Sequence, residues 1–450
     1  MNLSIIRVRS IGERSSNSAP PTALSYVAIP VEGIPSAVRW LFLLFVFTVS
    51  FENVDIASSH SLPRMVGLLF FALYFFHYNP FLYKRSLPRS SAALWWFMTY
   101  LFVYTLRGFF VPAELLGDFF VTWLTLGQLL GFFWIATDLL KDTKFVKSVL
   151  VTYVIALATI ALGMVLQLPG FYVEMGDGRV TVLRDNPNGL AINTAIALVI
   201  MIGLYLNKNY RHFRSKMFFL ILMPPMFWVM VSTGSRTGVA SFIIGCSIYL
   251  LPYWRSKRTM IAITLALLAI VAVAFMVANN PAFSERWNRS YYEGDLAGRE
   301  EIFPASFEMV LERPILGWHV ELLYELGLRM GLTGLVDAHN LLLHLLLEVG
   351  VVGTIPFLIG VLLCGQAAWQ ARRGNLGLLP LALFSSILAS SLAGNTVTSK
   401  TLWLLMALTV ACGSAAMGEQ GRRAKRLLSG RTFANRIQKS SINYSTHPPS

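Results

Sequence analysis

The sequence predicts an all-α polytopic membrane protein with about 12 transmembrane helices and one large extracytoplasmic loop that contains short helices. Three observations carry this. Hydrophobic residues make up 55% of the chain and charged residues only 13%, against about 25% charged in a soluble domain. The apolar residues fall in runs of roughly 17–25, the length a helix needs to cross a bilayer core. Lys and Arg gather in short clusters between alternate runs, the pattern of a chain threaded back and forth through a membrane.

The first 37 residues are polar, with Arg7, Arg9, Arg14 and a Ser-Asn-Ser-Ala-Pro-Pro stretch. No apolar segment directly follows the basic residues, so this part reads as a disordered cytoplasmic tail rather than a cleaved signal. Nine spans are expected within 38–278: Val38–Phe51, Met65–Tyr78, Ala92–Thr105, Leu115–Ala136, Ser148–Leu168, Asn188–Leu206, Met217–Val231, Thr237–Leu251 and Thr259–Ala278. A large loop follows over 279–340. Three more spans, Leu341–Ala371, Leu376–Leu392 and Leu402–Met417, lie within 341–417, and 418–450 is a basic cytoplasmic tail. The Leu341 run is long for one crossing, and Gly350 and Gly353 are candidates to break it. Cys246, Cys364 and Cys412 all lie inside apolar runs and read as small hydrophobes.

Charge sets the orientation. With twelve spans and both termini in the cytoplasm, 26 of the 37 Lys and Arg fall on the cytoplasmic side and 11 on the other. Acidic residues divide the opposite way, 5 inside and 17 outside, with Glu348 left within a span. This arrangement satisfies the positive-inside rule at every loop. It also accounts for the net charge of +14 without nucleic acid, whose binders do not carry their basic residues as clusters between apolar runs.

The outer face then carries the chemistry. The stretch from Asn279 to Gly353 is the long polar interruption of the second half. Arg236, in Ser232-Thr233-Gly234-Ser235-Arg236-Thr237-Gly238, lies in a turn too short to lift its guanidinium clear of the interface. An Arg at depth costs about 2.5–3.5 kcal/mol on insertion scales, so a carboxylate or an anionic ligand must offset it. Arg299 follows Gly298 at the expected start of a loop helix running to Glu312, and a helix N-terminus favours anions. His339, between Asp337 and Asn340, is placed to accept a proton near neutral pH. Arg184 joins this face through Arg184-Asp185-Asn186-Pro187-Asn188-Gly189. His344 and Glu348 are four apart, on one helical face, and pair more readily than they hold a metal. Trp287, Tyr291, Tyr292 and Trp318 offer ring faces to sugars or form an interfacial belt.

Ser235-Arg236-Thr237-Gly238, Gly298-Arg299, Pro314-Ile315-Leu316-Gly317-Trp318, His339-Asn340 and Leu347-Glu348-Val349-Gly350-Val351-Val352-Gly353 together resemble the O-antigen ligase and O-antigen polymerase superfamily. Pro187-Asn188-Gly189 fits as well, and the resemblance covers about Arg184 to Ala371. It implies a GT-C-like, metal-independent glycosyltransferase of the bacterial inner membrane that needs no cofactor. Such an enzyme takes a glycan from undecaprenyl diphosphate on the periplasmic side and moves it to an acceptor hydroxyl. Lipid A core is the expected acceptor; the end of another lipid-linked glycan, as in a polymerase, is the alternative. By motif, Arg236 and Arg299 hold the diphosphate and His339 acts on the acceptor hydroxyl. Asn188, Trp318 and Asn340 are expected to contact substrate, as is Arg184 from topology and its Asn186-Pro187-Asn188 context. The competing class is a polysaccharide or lipid transporter, which would place ionisable groups near the midplane; here the spans are nearly free of charge.

Overall fold

The computed structural model describes residues 35–51, 55–57, 60–77, 91–175, 178–183, 186–207, 213–253, 298–332 and 334–421, with isolated positions at 3–4, 29–30 and between 271 and 293. Helix dominates. In chain order the helices are α1 (Ser36–Thr48), α2 (Leu62–His77), α3 (Ala92–Gly108), α4 (Leu116–Leu139), α5 (Thr143–Val165), α6 (Pro187–Leu206), α7 (Phe213–Ser232) and α8 (Arg236–Ser247). After the 254–298 stretch come α9 (Arg299–Glu312), α10 (Leu322–Arg329), α11 (Leu341–Ala371), α12 (Leu379–Ser391) and α13 (Lys400–Gly421). Five helical segments are long and apolar enough to cross a membrane: Ala113–Leu139, Thr143–Val165, Pro187–Leu206, Leu341–Ala371 and Lys400–Gly421. Helices also stand at the other expected spans, several of them shorter than the 17–25 residues anticipated; the ninth, Thr259–Ala278, lies almost wholly outside the described residues. The strands among the described residues are ladders of two or three residues, among them Val173–Glu174 with Val180–Thr181.

Helix ends follow local chemistry. Asp142 caps α5 by accepting from the Lys144 amide at 2.9 Å, which starts the helix five residues earlier than hydropathy alone suggests. Asn186 caps α6 in the same way, with Pro187 at its first position. Ser235 caps α8 through the Gly238 amide.

Small residues let the central helices approach closely, as membrane helices do. A Cβ at Gly238 would lie 2.5 Å from that of Ala191, and one at Gly245 would lie 2.8 Å from a Val199 methyl, so α6 and α8 run side by side in the same direction. Between α8 and α12, Ser241 donates to the Ser386 carbonyl at 2.6 Å and Ser386 donates back to the Ser241 carbonyl at 2.9 Å. Both serines are fully buried, so the exchange satisfies polar groups that lipid cannot. On the other side, α3 lies along α11. Phe97, Phe133, Phe357 and Trp403 interlock there, with ring centroids 5.0–6.3 Å apart.

The long α11 is broken. Gly350 adopts φ 61° and ψ −167°, open to glycine and nearly closed to other residues. A straight 31-residue helix would span about 46 Å, well beyond a core of about 30 Å. The break frees backbone groups, and the Pro314–Trp318 segment takes them up. The Val351 amide donates to the Pro314 carbonyl at 2.9 Å, the Val352 amide to Ile315 at 3.3 Å, and the Trp318 amide to the Leu347 carbonyl. Gly317 and Gly350 make this possible: a Cβ on Gly317 would sit 2.5 Å from the Leu347 oxygen, and one on Gly350 would sit 2.2 Å from the Ile315 oxygen. Gly353 remains helical and packs against Val349 and Val103. The Pro314–Trp318 and Leu347–Gly353 motifs of the sequence are therefore the two halves of one backbone joint.

Candidate functional site

The turn after α12, residues 392–399, is held by two of the expected site residues, Arg299 and Asn340. The register between α8 and α12 sets Ser241 opposite Ser386 with the helices antiparallel. Five residues back from Ser241 is Arg236, and five residues on from Ser386 is Ser391. The N-terminus of α8 and the C-terminus of α12 therefore lie at one level. The N-terminus of α6, with Asn188, shares that level because α6 runs parallel to α8.

Arg299 opens α9 as expected, with Gly298 at φ 81° as the N-cap. Its guanidinium donates to the carbonyl of Ala393 at 2.7 Å. Asn340 caps α11, accepting from the Leu342 and Leu343 amides at 2.9 and 3.1 Å. The other side of its amide donates to the Leu392 carbonyl at 2.9 Å. The two residues from the large loop therefore hold two consecutive carbonyls of one turn.

His339 sits between anchors. Ala338 on one side is fully buried in the loop's own apolar cluster, and Asn340 on the other is tied as above. His339 itself has φ 49° and is exposed. That backbone conformation is uncommon for non-glycine residues, and it is held between the two anchored neighbours.

Behind this surface runs a polar chain into the bundle. Asp337 Oδ1 lies 3.0 Å from His344 Nδ1, and His344 Nε2 lies 3.7 Å from Glu348 Oε1. The Tyr100 hydroxyl donates to Glu348 Oε2 at 3.0 Å. Asn395 places its Nδ2 3.2 Å from both ring nitrogens of His344. Burial raises the Asp337 carboxyl, but the hydrogen bond and charge of His344 outweigh it and hold the group below its ordinary range. The expected His344–Glu348 pair is present. Among the described residues, no group of three or more His, Cys, Asp or Glu is arranged to hold a metal ion.

Arg179 is the residue that sequence reasoning missed. It is 9% exposed. It donates through Nε to the Thr233 carbonyl at 2.7 Å and through Nη2 to Asn188 Oδ1 at 2.9 Å. It thereby fastens the turn before Arg236 to the start of α6. The one available signal was charge: Arg179 is among the few basic residues assigned to the outer face. Asn188, expected to meet substrate, spends its side-chain oxygen on this arginine. Arg236 itself is half-buried at the first position of α8.

Trp318 needs correction. It is 7% exposed, its Nε1 donates to the Met309 carbonyl at 2.8 Å, and the Arg313 guanidinium lies 3.8 Å from its ring centroid. A ring covered in this way packs the loop and has no open face for a sugar; it organises α9, α10 and the joint at Gly350. Tyr291 and Tyr292 are exposed, 75% and 79%. Arg184 and Trp287 lie outside the described residues.

Residues 218–358, about a third of the chain, match the family model for O-antigen ligase. The matched span runs from α7 through the Arg236 turn, the large loop and the Gly350 break, and the resemblance read from the sequence is borne out over it. It supports a function of the ligase or polymerase type, carried out in a membrane. No curated protein matches the chain.

Proposed function

We propose that this protein is a glycosyltransferase of the bacterial inner membrane that moves a glycan from undecaprenyl diphosphate to a hydroxyl of lipid A core. In this reading the chain crosses the membrane twelve times with both termini in the cytoplasm, and the site faces the periplasm. One observation carries the proposal: Arg299 and Asn340, the residue that follows the exposed His339, bind adjacent carbonyls of the 392–393 turn, at the end of the bundle where α8 begins with Arg236. Arg236 and Arg299 engage the diphosphate, since planar guanidinium groups bind phosphate oxygens bidentately and stabilise charge growing on a leaving group. His339 takes the proton from the attacking hydroxyl, a contribution of about 10²–10⁴ in rate. The hydroxyl oxygen forms the new bond to the anomeric carbon as the bond to the diphosphate breaks. Tyr291 and Tyr292 are candidates to meet the glycan.

A polymerase, in which the acceptor is the end of another lipid-linked glycan, uses the same residues in the same roles. Transport is the reading that the buried His344–Glu348 pair and the broken α11 would favour. The Pro314–Trp318 segment fills that break, however, so its backbone groups do not line a passage.

The test is turnover of lipid-linked glycan by membrane-inserted Arg299→Ala and His339→Ala proteins. Each is expected to lose at least 100-fold. Full activity in either would remove its role, and glycan crossing a vesicle membrane without a new glycosidic bond would point to transport.

A further inference from the structure

A cavity of about 390 Å³ lies away from the Arg299–His339 group, between α1, α2, α4 and the start of α13. Its inner wall is aromatic, with Phe45, Phe71 and Phe132. Along α4, Thr122, Thr125 and Gln128 face it at three-residue intervals, one stripe of a helix otherwise rich in apolar residues. At its rim are Arg64, near the start of α2, and Lys400, the first residue of α13. Among the described residues, no Asp or Glu lines it. This is notable on a face to which the sequence assigns 17 acidic residues and 11 basic ones. Both cations also stand in the first turn of a helix, where the dipole repels positive charge, so neither is there to support its own helix. Arg64 makes no ion pair with any described residue. Leu68 on α2 lines the cavity and is 46% exposed.

An apolar trough with two cationic residues at its rim, at the end of the bundle proposed to carry the transfer site, suits an amphiphile with an anionic head and hydrocarbon chains. The 392–400 segment joins the two places: Leu392 and Ala393 are held by Asn340 and Arg299, while Thr398 and Lys400 line the cavity. We propose that this cavity seats the phosphorylated lipid anchor of the acceptor, with Arg64 and Lys400 on the phosphate and the Phe45–Phe71–Phe132 wall on the acyl chains. The inference builds on the proposed function, because a transfer between two lipid-anchored molecules needs a second lipid seat beside the one for the donor diphosphate.

The experiment places a photo-crosslinking amino acid at Leu68 in the full chain, in lipid nanodiscs, and offers three ³²P-labelled probes in turn: lipid A core, undecaprenyl phosphate and phosphatidylglycerol. The expected result is an adduct with lipid A core that falls about tenfold in the Arg64→Gln, Lys400→Gln double variant. In a transfer assay the same double variant should raise KM for the acceptor while KM for the donor stays in place. An adduct as strong in the double variant as in the parent, or formed with either other probe in preference, overturns the proposal. His339→Ala separates the two readings. Transfer that survives this change defeats the assigned chemistry, whereas an unchanged Leu68 adduct in the same protein leaves the acceptor seat standing.

Discussion

Arg299 and Asn340 donate to the carbonyls of adjacent residues, Ala393 at 2.7 Å and Leu392 at 2.9 Å. Forty-one positions apart in sequence, the two close the large loop onto one turn of the bundle. Asn340 does this while its oxygen caps α11, so its two functions can be separated. Asn340→Asp keeps an acceptor for the Leu342 and Leu343 amides but sets an oxygen against the Leu392 carbonyl. The cap is kept, since a carboxylate serves there as well as an amide, so the cost should be only the lost Leu392 bond, about 0.5–1.5 kcal/mol, while most of the transfer activity goes as the loop lifts. Asn340→Ala loses both bonds and should cost about 1 kcal/mol more of stability. Thermal unfolding in detergent together with glycan transfer distinguishes the two.

The joint at Gly350 predicts a different signature. A methyl there meets the Ile315 oxygen at 2.2 Å and must adopt φ 61°, so neither side-chain rotation nor a small shift relieves it. Gly350→Ala should cost about 2 kcal/mol or more and expose the Arg313–Trp318 segment to protease. Gly117→Ala is the control, since nothing lies within 4 Å of a Cβ there and the residue is helical. It should match or slightly exceed the parent in stability.

These two predictions show which parts were legible in the sequence. The start of α9 at Arg299 and the break at Gly350 were readable because each rests on a local signal, a glycine before a polar helix and a glycine inside an overlong apolar run. The His344–Glu348 pair was readable from helical spacing. The partner of the break was not: that Pro314–Trp318 fills it depends on contacts between separate elements, which periodicity does not encode. The same is true of the 392–393 turn, whose role comes from being grasped, and of Trp318, whose identity as an aromatic says nothing about the guanidinium that covers it. Arg179 was invisible for a related reason: its partners, Asn188 and Thr233, come from the start of α6 and the turn before α8.

His319 gives the loop a pH dependence. Its ring packs 4.3 Å from that of Tyr104 and 5.6 Å from that of Phe119, with Nε2 3.2 Å from the Tyr104 carbonyl and Nδ1 buried without a hydrogen-bond partner. Burial pushes its pKa below the ordinary histidine value of 6.5, against the smaller opposing pull of Glu348 and the Tyr104 carbonyl. The folded form therefore binds the proton less well than the unfolded form. Its stabilising contribution is complete above about pH 6.5 and is lost as the pH falls below that value. Hydrogen exchange of the 313–322 amides should quicken as the pH drops from 7.5 to 5.5, after correction for intrinsic exchange rates. His319→Gln, which has no charge to gain, should flatten that dependence; an identical profile in the variant would exclude His319 as its source.

Arg179 supplies the sharpest prediction because it is nine-tenths buried and its bonds to the Thr233 carbonyl and Asn188 join two turns of the bundle. Arg179→Lys keeps the charge but cannot reach the Thr233 carbonyl and Asn188 with a planar fork. Arg179→Met keeps much of the apolar stem that packs beside Gly234 and leaves both acceptors without this donor, at a cost of about 1–3 kcal/mol. If Arg179 acts by fixing the turn that carries Arg236, both variants should lose transfer activity, with Lys retaining more than Met. Combining Arg179→Met with Arg236→Ala should then lower activity little beyond Arg236→Ala alone, because removing the support of an absent side chain has nothing further to disturb. Additive losses would instead give Arg179 a role in the reaction independent of Arg236.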